Sequence, residues 1–254
     1  MSIHTTDAIV LRQYPFRETS ALVSCMTDRF GKIKGLIKGL REQRGRAPRY
    51  HSAMEPLTLS RIVFYDTRAS SLHLITQCDL LEAYEPLAQD LDAIRLAATC
   101  AELTDIVVGE DEPNPRIFYL LRDTLARLAS GDRRLASLRI HFILRLLRLA
   151  GFQPRLDECT TCNQSAAGPA NGGAAGKRAF WSARQGGLVC ERCLHQDPQA
   201  EPLAPELLDA FIQSAEADEP HRVILDHTAV IQRHLSEFLQ WRLDRPLKTM
   251  RAVA

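Results

Sequence analysis

The 254-residue sequence predicts an α+β, multidomain fold: a small β-barrel, then helices, with a cysteine-rich insertion among the helices. Three observations carry this. Apolar residues alternate or run in short stretches as far as Leu80. Beyond it they recur at intervals of three and four. Four of the seven cysteines stand as two Cys-x-x-Cys pairs.

Between residues 7 and 80, "DAIVLRQY", "TSALVSCMT", "GKIKGLIKG", "EPLTLSRIVFY" and "SSLHLITQCDLLEA" read as five strands. Closing five strands on themselves removes exposed sheet edges, and the oligonucleotide-binding barrel is the common solution of that size. Residues 1–80 are therefore expected to form an N-terminal five-stranded OB-fold β-barrel. Between the third and fourth runs lies "LREQRGRAPRYHS", polar, basic and broken by Gly45 and Pro48, which reads as a long mobile loop.

After Leu80 the period becomes helical. Leu91, Ile94, Ala98, Ala101 and Asp105 define one stripe over about 90–108, ended by "GEDEPNP" with its two prolines. Helices are expected at about 115–129 and 134–150, separated by "SGD". In the second of them Leu135, Leu138, Phe142, Leu146 and Leu149 form a core face. Arg134, His141, Arg145 and Arg148 fall in the opposite sector, read as solvated surface, with partner binding as the sharper alternative. Residues 163–178, "NQSAAGPANGGAAGKR", form a Gly/Ala-rich flexible insertion, and helical pattern resumes in "PELLDAFIQSAEA" and "AVIQRHLSEFLQWRL". The expected division is a barrel at 1–80, a helical domain at 81–157 and 197–254, and a cysteine insertion at 158–196.

Overall charge is nearly balanced, 32 Lys and Arg against 31 Asp and Glu, but residues 1–80 hold twelve cations against seven acids. A local basic field of this kind suits a polyanion. No apolar run approaches the roughly 18 residues of a membrane span, and the amino terminus lacks the pattern of a signal peptide. A soluble, cytoplasmic protein with reduced thiols is the expectation, so the "NQS" at Asn163 reads as a chance sequon.

Cys159 and Cys162 in "DECTTCNQ" are followed, after 27 residues, by Cys190 and Cys193 in "GGLVCERC". Two such knuckles can set four thiolates around one zinc ion, and four protein ligands leave no open position, so the metal would be structural. The gap exceeds the usual spacing of about 15–20 residues, and the Gly/Ala insertion accounts for the excess. Redox pairs and unliganded thiols are the competing readings; the first lacks a thioredoxin-like context. His195 reads as a surface residue, and Cys25, Cys78 and Cys100 as core thiols.

For nucleic acid, the candidates are Lys32, Lys34 and Lys38, which share a strand parity, and the loop residues Arg41, Arg44, Arg46 and Arg49. Tyr14, Phe16 and Tyr50 could stack on bases. The bland reading is a solvated loop that protects solubility. The glycines at 31, 35 and 39 do not form a phosphate-binding loop, and no catalytic constellation is present, so no catalytic residue is assigned and the chain reads as a binding module and not an enzyme.

Several stretches together resemble one family. "DAIVLRQYPFRETSALVSCMTDRFGKIKGLIKGLR" is similar to the opening of the bacterial recombination and repair family RecO, and "HFILRLLRLAGFQPRLDECTTC", "GGLVCERC" and the terminal "RPLK" resemble its later segments in order. The resemblance implies an OB-fold, an α-helical C-terminal domain and an inserted four-cysteine zinc knuckle. It also implies a recombination mediator that binds single- and double-stranded DNA, anneals complementary strands and, with RecR, helps load RecA on gaps coated by single-stranded DNA-binding protein. On that likeness the basic residues from Lys32 to Arg49 lie where the barrel contacts DNA or RecR. Arg139, His141 and Arg145 lie where the acidic tail of the single-strand-binding protein docks. The family commonly has Arg-Phe-Glu where this chain has His141, Phe142 and Ile143, a departure that implies a weaker tail contact. A zinc-ribbon RNA-binding or transcription-associated adaptor, or a zinc-dependent nucleic-acid enzyme, are the alternatives from other classes.

Overall fold

The structure, a computed structural model, describes residues 2–40, 52–66, 72–165, 178–243 and 247–251. The chain divides into two compact units, Met1–Leu135 with Leu247–Ala254, and Ala136–Pro246.

In the first unit five strands close into a barrel in the order β1-β2-β3-β5-β4: β1 (Ser2–Phe16), β2 (Ser20–Thr27), β3 (Gly31–Ile37), β4 (Leu59–Asp66) and β5 (Leu72–Glu82). The expected barrel is present. β1 is longer than its apolar run suggests, because its first half pairs with β4 (Ser2 opposite Asp66) and its second half with β2 (Phe16 opposite Ser20). Main-chain pairing, which needs no apolar side chain, recruits Ser2 to Thr6, of which only Ile3 is apolar and that one exposed. A register shift between Val10 and Arg12 bends the strand between its two partners. A parallel pairing of β3 with β5 closes the barrel.

Alternation places Ala8, Val10, Ala21, Val23, Cys25, Ile33, Ile37, Ile62, Phe64, Ile75 and Cys78 inside, and Leu40, Ala53 and Met54 join the same core from outside the strands. Burial in this apolar setting pushes the thiols of Cys25 and Cys78 upward, the latter to about 12, consistent with inert core thiols. Gly31 opens β3 at φ 71°, and a Cβ there would collide with the Glu112 carbonyl, so only glycine fits.

Two helices belong to the same unit. α1 (Leu91–Val107) starts at Asp90, whose carboxylate accepts the N–H groups of Asp92 and Ala93. α2 (Pro115–Ala129) starts at Asn114 with Pro115 at its first position, a favoured opening because proline lacks the N–H that would go unpaired. Between α1 and the barrel runs a buried polar network. Arg12 donates to Glu102 (3.1 Å) and Asp105 (2.8 Å), and Ser24 donates to Asp105 (2.7 Å). Glu102 also accepts the main-chain N–H groups of Lys248 (3.0 Å) and Thr249 (2.8 Å), which ties a short C-terminal helical turn, Lys248–Arg251, to α1.

The second unit contains α3 (Leu135–Leu149), β6 (Ala179–Ser182), β7 (Gly187–Cys190), β8 (Glu201–Leu203), α4 (Pro205–Glu216) and α5 (Thr228–Arg242). The three strands form an antiparallel sheet in the order β7-β6-β8. Trp181 of β6 anchors the sheet on the helices, with ring centroids 5.1 Å from Phe211 of α4, and 5.4 and 6.1 Å from His234 and Phe238 of α5. α3 is buried nearly all round, including Ser137 and Leu144, which the stripe reading does not anticipate. No helix among the described residues is long and apolar enough to cross a membrane.

Candidate metal centre and nucleic-acid interface

Cys159, Cys162, Cys190 and Cys193 converge, with all four Sγ atoms within 4.8 Å of one another. Local chain geometry builds both knuckles. In the first, Cys159 N–H donates to the Gln164 carbonyl (2.8 Å) and Asn163 N–H to the Cys159 carbonyl (2.9 Å), with Asn163 at a left-handed φ of 54° turning the chain. In the second, β7 ends at Cys190, and a 3-10 turn, Glu191–Gln196, brings Cys193 around. Thr160 N–H donates to the Leu188 carbonyl (2.8 Å), fastening the first knuckle to the strand that carries the second.

The donor set fits a tetrahedral thiolate-binding ion. A regular tetrahedron of sulfurs at about 2.3 Å from its centre has edges of about 3.8 Å, and the Sγ atoms of Cys162 and Cys190 stand 3.8 Å apart. Three of the four thiols are buried. Burial raises the Cys159 thiol, but the main-chain N–H groups of Cys162, Cys190 and Thr161 outweigh it and bring the group down to about 6. Cys193 goes the other way, to about 12, through desolvation and then its three sulfur neighbours. Four thiolates repel one another at this distance, and a divalent cation at their centre would offset that repulsion. His195 is exposed, with Nδ1 3.0 Å from the Arg192 carbonyl, and stays outside the cluster.

The basic candidates on the barrel separate. Ile33 and Ile37 point inward, so Lys32 and Lys34 take the outer parity of β3, whereas Lys38 lies past the strand's end at Ile37, in a turn to which strand parity does not extend. Lys32 is nonetheless only 6% exposed. Its ammonium donates to the Asp105 carbonyl (2.6 Å), and its own carbonyl accepts from Asp111 N–H (2.9 Å). Alternation determined its face, but α1 and the segment after it cover that face, so Lys32 is a structural cation and not an outward one. Lys34 is half-exposed and ion-paired with Glu110. Lys38 is exposed. Arg41, Arg44, Arg46, Arg49 and Tyr50 lie outside the described residues. Tyr14 is exposed and Phe16 partly so, with the Arg17 guanidinium 5.3 Å from the Phe16 ring centroid. The network of Arg12, Glu102 and Asp105 was not singled out from sequence. Its only signal was an acidic residue, Asp105, on the otherwise apolar stripe of α1.

On α3, His141 is 7% exposed, its Nε2 3.2 Å from the Asp218 carbonyl, so it does not belong to a solvated stripe. Arg145 pairs with the Asp218 carboxylate at 3.4 Å, while Arg139 is half-buried.

Comparison with known proteins gives the relationship. A family model described as "Recombination protein O N terminal" matches residues 1–84, and one described as "Recombination protein O C terminal" matches residues 88–251. A "DNA repair protein RecO" of Koribacter versatilis is 35% identical over 187 residues, 73% of this chain and 70% of that protein. One of Pelotomaculum thermopropionicum is 32% identical over 194 residues, 76% of this chain and 70% of that one. One of Syntrophus aciditrophicus is 29% identical over 261 aligned positions, covering 98% and 95% of the two chains. With both terminal family models matched in order along a barrel, a set of helices and a four-cysteine cluster, the chain belongs to the RecO family of DNA repair proteins.

Proposed function

We propose that the chain is a recombination mediator without catalytic activity. In this reading it binds and anneals single-stranded DNA in the cytoplasm, at the nucleoid, and with RecR assists RecA loading on gaps coated by single-stranded DNA-binding protein. The observation that carries the reading is the closed five-stranded barrel, with β3 leading through Lys34 and Lys38 into a segment bearing four arginines, in a chain of this family. Annealing by such a protein is non-covalent. Cations held by a rigid barrel screen the phosphates of two strands, so complementary bases approach without full mutual repulsion.

Zinc is the ion the four thiols suit best, held by Cys159, Cys162, Cys190 and Cys193 as a closed structural site. It would supply a cross-link between the first knuckle and the β6–β7 hairpin. Arg139 and Arg145, with His141 behind them, support docking of an acidic tail, although Asp218 already neutralises part of that charge.

The test is annealing of complementary oligonucleotides pre-coated with single-stranded DNA-binding protein, using folded, zinc-loaded chain. Acceleration over the coated strands alone supports the mediator reading. No acceleration overturns it.

A further inference from the structure

Trp241 is 62% exposed, an indole at the end of α5 presented to solvent. Single exposed apolar side chains are ordinary on a protein surface, Ile3 and Leu91 being as open, so exposure alone assigns nothing and what distinguishes this ring is what surrounds it. Its surroundings are cationic. The Arg184 guanidinium, in the turn joining β6 to β7, lies 5.8 Å from the Trp241 ring centroid, within cation–π range. Arg242, the next residue of α5, lies 5.5 Å from the ring centroid of buried Phe238 and donates to the Gln185 carbonyl at 3.5 Å. Gly186, at φ 89°, leaves the space that the Arg242 guanidinium occupies, because any Cβ there would strike it. Neither Arg184 nor Arg242 has an ion-pair partner among the described residues, whereas Arg145 and Arg233 of the same unit are paired with Asp218 and Glu201.

We propose that Trp241, Arg184 and Arg242 form a second single-stranded nucleic-acid contact, on the helical unit, with a base stacked on the indole and the guanidinium groups on flanking phosphates. The ring supplies a flat, sequence-tolerant surface, and the two exposed guanidinium groups supply positive charge on the same unit. An acidic peptide would use the cations but has no need of a flat exposed ring. The inference rests on the reading of the chain as a nucleic-acid-binding protein, and its test separates the two.

The probe is an oligothymidylate of roughly 16 nucleotides, the upper site size of one single-strand-binding module, added to the full zinc-loaded chain. Binding is followed by anisotropy of a labelled strand and by intrinsic tryptophan emission. Buried Trp181 serves as a constant background to exposed Trp241. The expected result is quenching on binding that is lost in Trp241→Ala, where affinity is about tenfold weaker, and an affinity, read by anisotropy, that is partly restored in Trp241→Phe. Arg184→Ser is expected to reduce the log–log salt slope by about 0.7, the value for one phosphate contact on a single strand. Full-strength binding by Trp241→Ala without quenching in the wild type overturns this site and leaves the barrel reading standing. Quenching by an Asp/Glu-rich peptide that the oligonucleotide does not compete away also overturns it. Absence of any oligonucleotide binding overturns both.

Discussion

His234 is a single residue whose environment makes a measurable prediction. It is fully buried against Trp181, neither ring nitrogen has a hydrogen-bond partner among the described residues, and the Glu237 carboxylate is 3.7 Å from Nδ1. Desolvation, and then Arg233, lower its pKa, with Glu237 and Glu201 opposing. A base with a lowered folded pKa binds fewer protons folded than unfolded, so stability is full above the unfolded value of about 6.5 and falls as pH drops below it. Urea unfolding followed by Trp181 fluorescence should show a less stable second unit at pH 5.5 than at 7.5, and His234→Phe should flatten that dependence. An unchanged slope in the variant would assign the effect elsewhere. Glu102 behaves similarly for a different reason. Burial raises its carboxyl, but the hydrogen bonds from Thr249 and Lys248, with Arg12, bring it below the ordinary value. The stability it contributes is therefore present above about pH 4.3 and lost as pH falls through its folded value. Glu102→Ala, by removing these charge-assisted bonds, should cost about 2–3 kcal/mol in denaturant titrations of the first unit. Neither residue was legible in the sequence. Glu102 meets partners 90 and about 147 positions away, and His234 is distinguished only by what surrounds it.

Elements divide between those whose cause is local and those whose cause is not. The helices α1 and α2 were legible because the helical apolar spacing after Leu80 is carried within each segment, and their starts are fixed as locally, by Asp90, Asn114 and Pro115 in their own first turns. The four-cysteine cluster was legible because knuckle spacing is itself the chemistry. What covers each face was not. Parity placed Lys32 outside the barrel and periodicity placed His141 opposite the core face, but both are buried beneath other segments. The β6–β7 hairpin shows the energetic side. Its strands are four residues each, too short to persist on pairing alone, and Cys190 ends the second of them. A bound zinc ion contributes on the order of 10 kcal/mol of apparent binding energy at neutral pH, comparable to the stability of a whole domain. Cys159→Ser is thus expected to lose the metal and unfold the cysteine lobe, while amide exchange in β1 to β5 stays slow. Metal analysis that still finds about one zinc per chain would refute the assignment.

For the molecule as a whole, net charge is a poor guide to where a polyanion would bind, because many cations are already committed. On the first unit Arg12, Lys32, Lys34 and Arg61 are engaged with Glu102, Asp105, Glu110 and Asp7. Lys38 is exposed, and Arg41, Arg44, Arg46 and Arg49 follow it in the sequence. Two classes of cation should then respond differently to mutation. Lys32→Ala leaves the Asp105 carbonyl without its ammonium donor, so it should lower the stability of the first unit by about 1–3 kcal/mol while the folded fraction binds oligonucleotide as before. Lys38→Glu should leave unfolding unchanged but weaken binding. If about four of the cations between Lys34 and Arg49 contact phosphates, the wild-type log–log salt slope on single strands is about −3, and the variant should shift it towards zero by about 0.7 or more. Reversal of the two phenotypes, with Lys32 governing the salt slope and Lys38 governing stability, would place the phosphate track on the face covered by α1 and overturn the barrel interface as drawn.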